Sequence, residues 1–392
     1  MRVALLTDGF FPFVLGGMQK HSYYLAKYLA QQRVHVDLYY CKQREANLPF
    51  TAAELDYISL EQLAFPPNGG YFGHYLVESW LYSKRILDRL RPQLNHTDLI
   101  YAQGFAAWEL LQQKPQLGRT PPVMVNFHGL EMFQKAATWW ERLAQVPFIY
   151  PTLKNLRRAD FVISLGGKLT DILRRRTRRE ILEIPIGVEA SWLTPDINEV
   201  KSRREFLYVG RYERRKGIEE LTAALRRLGP QADYRFHFVG PIPEDQRLED
   251  DRVIYHGKIM DEPRLRQIYR DCDVLLCPSY AEGMPTVILE AMASGCAVIA
   301  TNVGAVAEEV LPGKTGWFVE PGSLTSLQQA LRHAMSLDGP SLQVMKTQAR
   351  QHVMENFLWD HVIQQNLVAF DRAQRRSPVA PLTTAGCSPH EA

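Results

Sequence analysis

Short apolar runs alternate with amphipathic helical stretches along this chain, and that alternation limits its fold more than any other feature. Residues 2–7 hold a continuous apolar run, which is typical of a strand buried on both faces of a sheet. A loop follows, then residues 18–32 place apolar side chains at helical spacing, and residues 34–40 form the next predicted strand. Strand, loop, helix and strand in this order make a βαβ unit, so the sequence predicts a parallel sheet with helices on its faces.

The same rhythm restarts after residue 200, which indicates a second unit of the same kind. Further strands are predicted at 98–102, 122–127, 160–165 and 181–186, and then at 205–209, 234–239, 252–255, 273–277 and 297–301. The segment 186–201, which follows Pro185 and contains Pro195, is the best linker candidate. We therefore predict an α/β fold of two Rossmann-like, doubly wound domains that face each other across a cleft.

The chain length of 392 residues agrees with two domains of ordinary size. The predicted domains are residues 1–190 and 191–358. Residues 359–373 are predicted to form a helix that crosses back to the first domain. The tail 374–392 is rich in Pro, Ser, Thr, Ala and Gly, and this composition predicts disorder.

Composition and charge indicate a globular protein of the cytoplasm. Hydrophobic residues make up 46%, and no apolar run approaches the roughly 20 residues of a membrane-spanning helix. The apolar run after Arg2 is too short for a signal-peptide core. The net charge is only +3, but residues 1–190 hold 23 basic and 17 acidic side chains while the remainder holds 23 and 26. Such asymmetry favours a basic surface in the first half.

Several common chemistries are disfavoured by what the motifs lack. Gly313-Lys314-Thr315 resembles the end of a phosphate-binding P-loop, but Glu308 stands where the first glycine is needed. No G-x-G-x-x-G follows the first strand, and no H-E-x-x-H or G-x-S-x-G occurs. The triplet Asp271-Cys272-Asp273 suits a metal-bound diphosphate, but a junction between helix and strand is the preferred interpretation.

Two loops carry features of anion binding. Gly16 and Gly17 lie between the first predicted strand and helix, where backbone N–H groups at a helix start can bind an anion. An ordinary glycine turn is an equal alternative there. In the second domain, Arg211 and Lys216 bracket the turn after the first strand, and their charges suit a diphosphate. Arg214 and Arg215, between them, are expected to face solvent.

Two carboxylates near residue 285 suit a ligand with vicinal hydroxyls. Glu282 precedes a Gly-Pro loop, and Glu290 lies about one turn into the helix that Pro285 is placed to start. Two carboxylates can therefore approach one ligand at two depths. Each can accept two hydrogen bonds at once, as a sugar or a ribose requires.

This C-terminal pattern resembles the retaining glycosyltransferases of family 4, whose fold is the two-domain GT-B arrangement. The resemblance rests on E-x7-E at Glu282 and Glu290 with G-x-P between them, on G-R-x4-K-G from Gly210, and on the Gly16-Gly17 loop. It covers nearly the whole chain. It departs from the common pattern after the glycine pair, where Met18 and Gln19 replace a usual acidic residue and His21 is kept.

The resemblance implies a role for each matching residue. Glu290 would bind the ribose hydroxyls of a nucleotide-sugar, and Glu282 would face the donor sugar. Arg211 and Lys216 would bind the diphosphate, and His128 would contact the donor sugar. Further donor contacts are implied for Gly16, Gly17, Ile259, Gly283, Met284, Pro285, Thr286 and Val287. The implied reaction is sugar transfer with retention and without a divalent metal or other cofactor. A UDP-sugar is favoured as donor, and GDP-mannose is the next choice.

The acceptor is expected on the first domain and is a saccharide or a lipid-linked sugar of the cell envelope. Candidate contacts are His21, Tyr71, Phe72 and Trp139, whose aromatic area suits a sugar or a membrane interface. The segment 154–179 carries nine basic and two acidic residues, which suits peripheral binding to the inner face of an anionic membrane. A solvated helix face is the alternative, and the modest total charge disfavours nucleic acid. An epimerase or hydrolase on the same fold and a non-catalytic nucleotide-sugar sensor remain open as other functions.

Overall fold

The computed structural model describes residues 1–67, 69–70, 73–193 and 196–376. The first half forms a seven-stranded sheet. Its strands are Arg2–Leu6 (β1), His35–Tyr40 (β2), Ile58–Gln62 (β3), Leu99–Gln103 (β4), Val123–Asn126 (β5), Phe161–Ser164 (β6) and Glu180–Glu183 (β7). The order across the sheet is β3-β2-β1-β4-β5-β6-β7, and the paired strands are parallel.

The second half forms a six-stranded parallel sheet. Its strands are Arg204–Val209 (β8), Tyr234–Val239 (β9), Val253–Gly257 (β10), Val274–Cys277 (β11), Ala297–Thr301 (β12) and Gly316–Val319 (β13). The order is β10-β9-β8-β11-β12-β13, and the paired strands are again parallel. Each sheet is therefore wound outward in both directions, from β1–β4 and from β8–β11. The predicted pair of doubly wound α/β domains is confirmed.

Helices cover both faces of each sheet. Those between the strands of the first sheet are Gly17–Gln31 (α1), Ala52–Leu55 (α2), His74–Leu90 (α3), Trp108–Gln113 (α4), Trp139–Arg158 (α5) and Gly167–Arg174 (α6). The second half contributes Ile218–Arg226 (α7), Glu262–Asp271 (α8), Thr286–Ala293 (α9), Val306–Glu309 (α10), Leu324–Ser336 (α11), Gly339–Asn356 (α12) and Trp359–Arg376 (α13). None of these helices is long and apolar enough to cross a bilayer.

The central strands are continuous apolar runs because helices cover them from both sides. Val3 to Leu6 in β1 and every residue of β11 and β12 are buried. Removing such runs from water supplies about 25 cal/mol per Å² of apolar surface, which is the dominant favourable contribution to folding. These rigid sheets hold the loops at their carboxyl ends, where open α/β folds bind ligands.

The last helix, α13, packs on the first domain although it follows the second domain in sequence. Its Trp359 side chain is fully buried, and the indole stacks on Tyr28 of α1 with ring centroids 5.6 Å apart. The chain passes between the domains near Val188 and again near Trp359. These two crossings lie side by side, because the backbone N–H of Trp359 donates to Val188 O at 3.2 Å. A Cβ at Gly187 would lie 2.8 Å from the same indole, so a glycine permits this close crossing. Helix α13 extends to Arg376, past the predicted tail start at 374, and residues 377–392 lie outside the described residues.

Candidate active site in the interdomain cleft

Loops from the carboxyl ends of the two sheets contact each other directly. Gln134 of the first domain donates through Nε2 to the carbonyl oxygen of Glu282 at 2.6 Å. Lys168 N–H, in the same domain, donates to Gly304 O of the second domain at 2.9 Å. The cleft between the domains is therefore closed in this structure, and its walls are loops at the carboxyl ends of both sheets.

Glu282 lies at the centre of a charged cluster in this cleft. Its carboxylate is buried, and Oε1 accepts hydrogen bonds from Lys216 Nζ at 2.6 Å and Ser279 Oγ at 2.7 Å. Arg215 Nη1 lies 3.6 Å from Oε2. Burial alone would raise the pKa of Glu282, but the two cations and the hydrogen bonds outweigh it and hold that pKa below its usual range. Glu282 is therefore ionised at neutral pH.

A single glycine places Lys216 against this carboxylate. Gly217 adopts a φ of +68°, and a Cβ there would lie 2.1 Å from the carbonyl oxygen of Pro278. Only glycine permits both this conformation and this approach. The turn after β8 therefore packs directly on the segment after β11, which brings the ammonium of Lys216 to Glu282.

Glu290 forms a second charged cluster about one turn into α9. Its carboxylate is buried, and Oε2 accepts a hydrogen bond from Tyr269 OH at 3.1 Å. The other oxygen, Oε1, pairs with Lys20 Nζ at 2.9 Å, and Lys20 belongs to α1 of the opposite domain. Sequence reasoning did not identify Lys20. The signal that points to it is a basic side chain in the first turn of the helix after the Gly16-Gly17 loop.

His128 of the first domain lies against Gly283, in the loop that follows Glu282. Its Nε2 donates to Gln103 Oε1 at 2.7 Å, and its ring packs edge-on against His21 at 4.9 Å. Burial, and then the neighbouring His21, lower the pKa of His128 well below its usual value, so the ring is neutral at physiological pH. A neutral ring that donates through Nε2 keeps Nδ1 as a hydrogen-bond acceptor.

Comparison with known families matches both halves of the chain. Residues 15–192 match the model described as Glycosyltransferase Family 4, and residues 203–336 match the model described as Glycosyl transferases group 1. The two matches follow each other in the order of the two domains and leave only a short gap at the linker. The chain belongs to glycosyltransferase family 4.

Relatives with curated names include several glycosyltransferases of polysaccharide synthesis. The chain is 32% identical over 240 residues to the putative teichuronic acid biosynthesis glycosyltransferase TuaC of Bacillus subtilis, which covers 54% of this chain and 60% of that protein. It is 24% identical over 399 residues to a glycogen synthase of Mycobacterium tuberculosis, and this alignment covers 92% of each chain. The second alignment spans both domains of this glycosyltransferase.

Solved structures confirm the GT-B fold. Sucrose-phosphate synthase of Thermosynechococcus elongatus superposes with a TM-score of 0.75 at 22% identity, over 95% of this chain and 98% of that chain. HepE of Anabaena, solved with UDP and glucose, superposes with a TM-score of 0.67 at 20% identity, over 95% and 100% of the two chains. At these identities the superpositions show the fold of this glycosyltransferase alone.

The arginines after β8 are arranged differently from what the sequence suggested. Arg211 is largely exposed and pairs with Glu213 at 2.9 Å, so it is not part of the cluster around Glu282. Arg215 occupies that position instead. Arg214 donates to both carboxylate oxygens of Glu220 and is partly buried. The expectation that Arg214 and Arg215 face solvent is therefore wrong, because the turn folds back on the sheet.

The remaining donor-side residues lie at loops around the two clusters. Gly16 and Gly17 are exposed at the N-terminus of α1, and Ile259 lies in the loop after β10. Residues 283–285 form the turn before α9, with Thr286 and Val287 in its first turn. The first N–H groups of a helix have no partner within it, so this turn offers donors to a ligand. Asp273 accepts a hydrogen bond from buried Lys346 at 2.9 Å, which agrees with a structural junction there.

The acceptor candidates of the sequence are scattered in the structure. His21 is only 2% exposed, and burial lowers its pKa to about 3. Its ring packs against His128, and in this conformation it is not accessible to an acceptor sugar. Trp139 is exposed at the start of α5 and stacks on Trp140. Tyr71 and Phe72 lie outside the described residues.

Substituting Gly283 by alanine is expected to impair domain closure without unfolding the protein. A Cβ at Gly283 would lie 2.4 Å from the carbonyl oxygen of His128 in the opposite domain, while the backbone there is not strained. We expect sugar transfer to fall at least about tenfold, as for a displaced catalytic geometry. The melting temperature should change little. Gly339→Ala, which adds the same methyl group where no atom lies within 4 Å, is the matched control. Unchanged transfer in Gly283→Ala would show that closure is not needed.

Proposed function

We propose that this glycosyltransferase moves a sugar from a nucleoside-diphosphate donor to a saccharide or lipid-linked acceptor, with retention at the anomeric carbon. A UDP-sugar is the favoured donor and GDP-mannose the second. The relatives named for teichuronic and colanic acid synthesis support a product in the cell envelope. The HepE structures with UDP and UDP-glucose support the choice of UDP.

The observation that carries this proposal is the pair of buried carboxylates at two depths of one cleft. Glu282 is held ionised by Lys216 and Arg215, and Glu290 lies about one turn into α9 behind it. A nucleotide-sugar has vicinal hydroxyls at both of its ends and a diphosphate between them. In our proposal Glu290 accepts hydrogen bonds from the ribose, and Glu282 accepts them from the transferred sugar.

The departing diphosphate needs positive charge, and the turn after β8 supplies it. Lys216 lies 2.6 Å from Glu282 and is partly accessible, so a phosphate oxygen can share its ammonium. Arg215 is fixed beside it, and the exposed Arg211 can reach inward when its pairing with Glu213 is exchanged for phosphate. Fixed cations at a site of developing negative charge stabilise a transition state. The N-terminus of α9 adds the positive end of its dipole.

The stereochemistry and the route of the proton are part of this proposal. Glu282 and Glu290 are committed to donor hydroxyls, so they do not form the acid and nucleophile pair of a glycoside hydrolase. His128 is neutral and tied to Gln103, so it positions the donor sugar by hydrogen bonding. We propose that the proton of the acceptor hydroxyl passes to a phosphate oxygen of the donor. Sugar transfer on that same face of the ring retains the anomeric configuration.

Positive side chains take the place of a divalent metal in this proposal. Lys216, Arg215 and Arg211 together can neutralise the diphosphate. We therefore expect transfer to be unchanged by a chelator such as EDTA. Loss of activity in EDTA that Mg²⁺ or Mn²⁺ restores would contradict this part of the proposal.

A thermal-shift panel with UDP-, GDP- and ADP-sugars tests the donor assignment. A ligand that binds only the folded state raises the melting temperature with its occupancy. We expect the largest increase with a UDP-sugar, and transfer of its sugar to an added acceptor such as an alkyl glycoside or a lipid extract. Release of free or epimerised sugar with no glycoside would favour the hydrolase or epimerase. Donor binding without any turnover would favour a regulatory sensor.

A further inference from the structure

Helix α5 presents an apolar stripe to solvent. Trp139, Leu143, Val146 and Tyr150 recur at intervals of four, three and four residues, so they lie on one face of the helix. Each of these side chains, and Trp140 beside them, is between 50% and 73% exposed. Tyr75 of α3 extends the surface, since its ring lies 6.2 Å from Phe148 of α5. Large apolar side chains that cluster on one surface mark an interaction site.

A turn rich in arginine lies beside this helix. Residues 174–179, from the last residue of α6 to the start of β7, line a surface cavity of about 660 Å³ together with Arg157 near the end of α5. The turn is fixed to α5, because Arg179 Nε donates to Arg157 O at 3.0 Å. Arg176 packs over the Phe133 ring at 3.9 Å, and its carbonyl oxygen accepts a hydrogen bond from Arg157 Nε at 3.4 Å. The positive charge therefore lies at the C-terminal end of the helix that carries the apolar stripe.

Most of this positive charge has no carboxylate partner within the part of the chain that the structure describes. Of the five arginines in the turn, Arg174 alone has a carboxylate within 4 Å among the residues that the structure describes. Burial and then the charges of Arg175 and Arg142 lower the pKa of Arg176, which shows how closely the cations are crowded. An external anion would relieve this repulsion.

We propose that α5 and the turn 174–179 form a docking surface for an anionic lipid bilayer. The stripe on α5 enters the interface, and the arginines bind lipid phosphates and carboxylates. Tryptophan and tyrosine favour the interface between water and hydrocarbon, and each basic residue near an anionic membrane strengthens binding several-fold. A nucleic acid would use the arginines but would leave the aliphatic part of the stripe without a role.

Docking in this way places the mouth of the cleft at the membrane. The segment before α5 reaches across the cleft, where Lys135 Nζ donates to Pro321 O at 2.8 Å in addition to the bond from Gln134 to Glu282. This step rests on the proposed function, because it explains how a lipid-linked acceptor would arrive beside Glu282. The docking surface itself is independent of catalysis and is tested separately.

Co-sedimentation with vesicles tests the surface. The protein is mixed with phosphatidylcholine vesicles with or without 30% phosphatidylglycerol at physiological salt. We expect binding only to the anionic vesicles, and at least about tenfold weaker binding for Arg175→Gln/Arg178→Gln/Arg179→Gln. The matched control removes the same charge from the second domain, by Arg226→Gln/Arg227→Gln/Arg332→Gln, and should bind like the wild type. Equal binding by the two triple variants would overturn the proposal.

The apolar stripe has its own readout. We expect Val146→Ser/Tyr150→Ser to weaken binding to anionic vesicles, while Val344→Ser/Val368→Ser, which changes two exposed residues of the other helices, does not. Tryptophan fluorescence should shift to the blue on binding, and Trp139→Phe/Trp140→Phe should abolish the shift. Persistence of the shift in that variant would reject bilayer docking. A dimer in solution that the α5 changes disrupt would also reject it, as would binding to an oligonucleotide but not to vesicles. UDP affinity in solution should be unchanged in the first-domain arginine variant, so failure of docking and failure of the donor site are distinguishable.

Discussion

Replacing Glu282 by glutamine is expected to lower kcat/KM for sugar transfer by about 10²- to 10³-fold, the effect of removing one preorganised electrostatic group. The substitution keeps the shape of the side chain and removes its charge. Lys216 and Arg215 then lose the carboxylate that fixes them at 2.6 Å and 3.6 Å, and the donor sugar loses its ionised acceptor. Lys216→Met should cause a loss of similar size, because it removes the cation that shares charge with the diphosphate.

Two controls separate chemistry from folding in this experiment. Glu244→Gln changes an exposed carboxylate of the same domain and should leave kcat/KM unchanged. The melting temperature of Glu282→Gln should fall, because Lys216 and Arg215 lose their carboxylate, so transfer is measured well below the melting temperature of the variant. Full transfer activity in Glu282→Gln would show that this carboxylate does not act on the donor.

Substitutions of Glu290 and Lys20, the two partners of the ion pair that crosses the cleft, are expected to change UDP affinity in opposite directions. Glu290→Gln should weaken UDP binding by about tenfold or more, since a hydrogen bond to a charged group contributes about 1.5–3 kcal/mol and glutamine keeps one acceptor oxygen where the carboxylate has two. Lys20→Met should bind UDP more tightly than the wild type. In the closed cleft Lys20 occupies Glu290 Oε1 at 2.9 Å, so the ribose must displace it before the carboxylate can accept its hydroxyls.

Isothermal titration with UDP measures both changes. The double variant Glu290→Gln/Lys20→Met should resemble Glu290→Gln, because Lys20 matters here only through that carboxylate. If Lys20→Met lost as much affinity as Glu290→Gln, Lys20 would itself be a donor-binding residue. Equal affinity of all variants would remove Glu290 from the ribose site.

The fold was largely predictable from the sequence. The strands that were not predicted have a physical feature that explains why. The central strands are continuous apolar runs, as strands covered by helices on both faces must be, and they were predicted within a few residues. Two edge strands, Ile58–Gln62 and Gly316–Val319, were missed. The first is half exposed and carries Ser59, Glu61 and Gln62, while the second begins with Gly316 and is only partly buried. Neither presents a run that separates a strand from a loop.

The site residues that lie within one short segment were predictable from the sequence. Those whose positions depend on tertiary contacts were less so. Glu282, Glu290 and Lys216 follow from spacing within short segments. The position of Arg215 depends on Gly217 turning against Pro278, and the pairing of Lys20 depends on how the two domains meet. Neither the position of Arg215 nor the pairing of Lys20 can be predicted from the neighbouring residues in the sequence. The burial of His21 likewise comes from α13, whose Trp359 ring lies 5.5 Å from it.

The stereochemistry of the first product tests the central claim most directly. The wild-type protein is incubated with the nucleotide-sugar that gives the largest thermal shift, and proton NMR follows the anomeric signal of the sugar that is transferred or released, before mutarotation. A retaining glycosyltransferase acting on an α-linked donor must give the α-anomer first, and in Glu282→Gln that signal must appear about 10²- to 10³-fold more slowly. Appearance of the β-anomer first, or an α-anomer signal of undiminished rate in Glu282→Gln, would contradict the proposed function of this cleft.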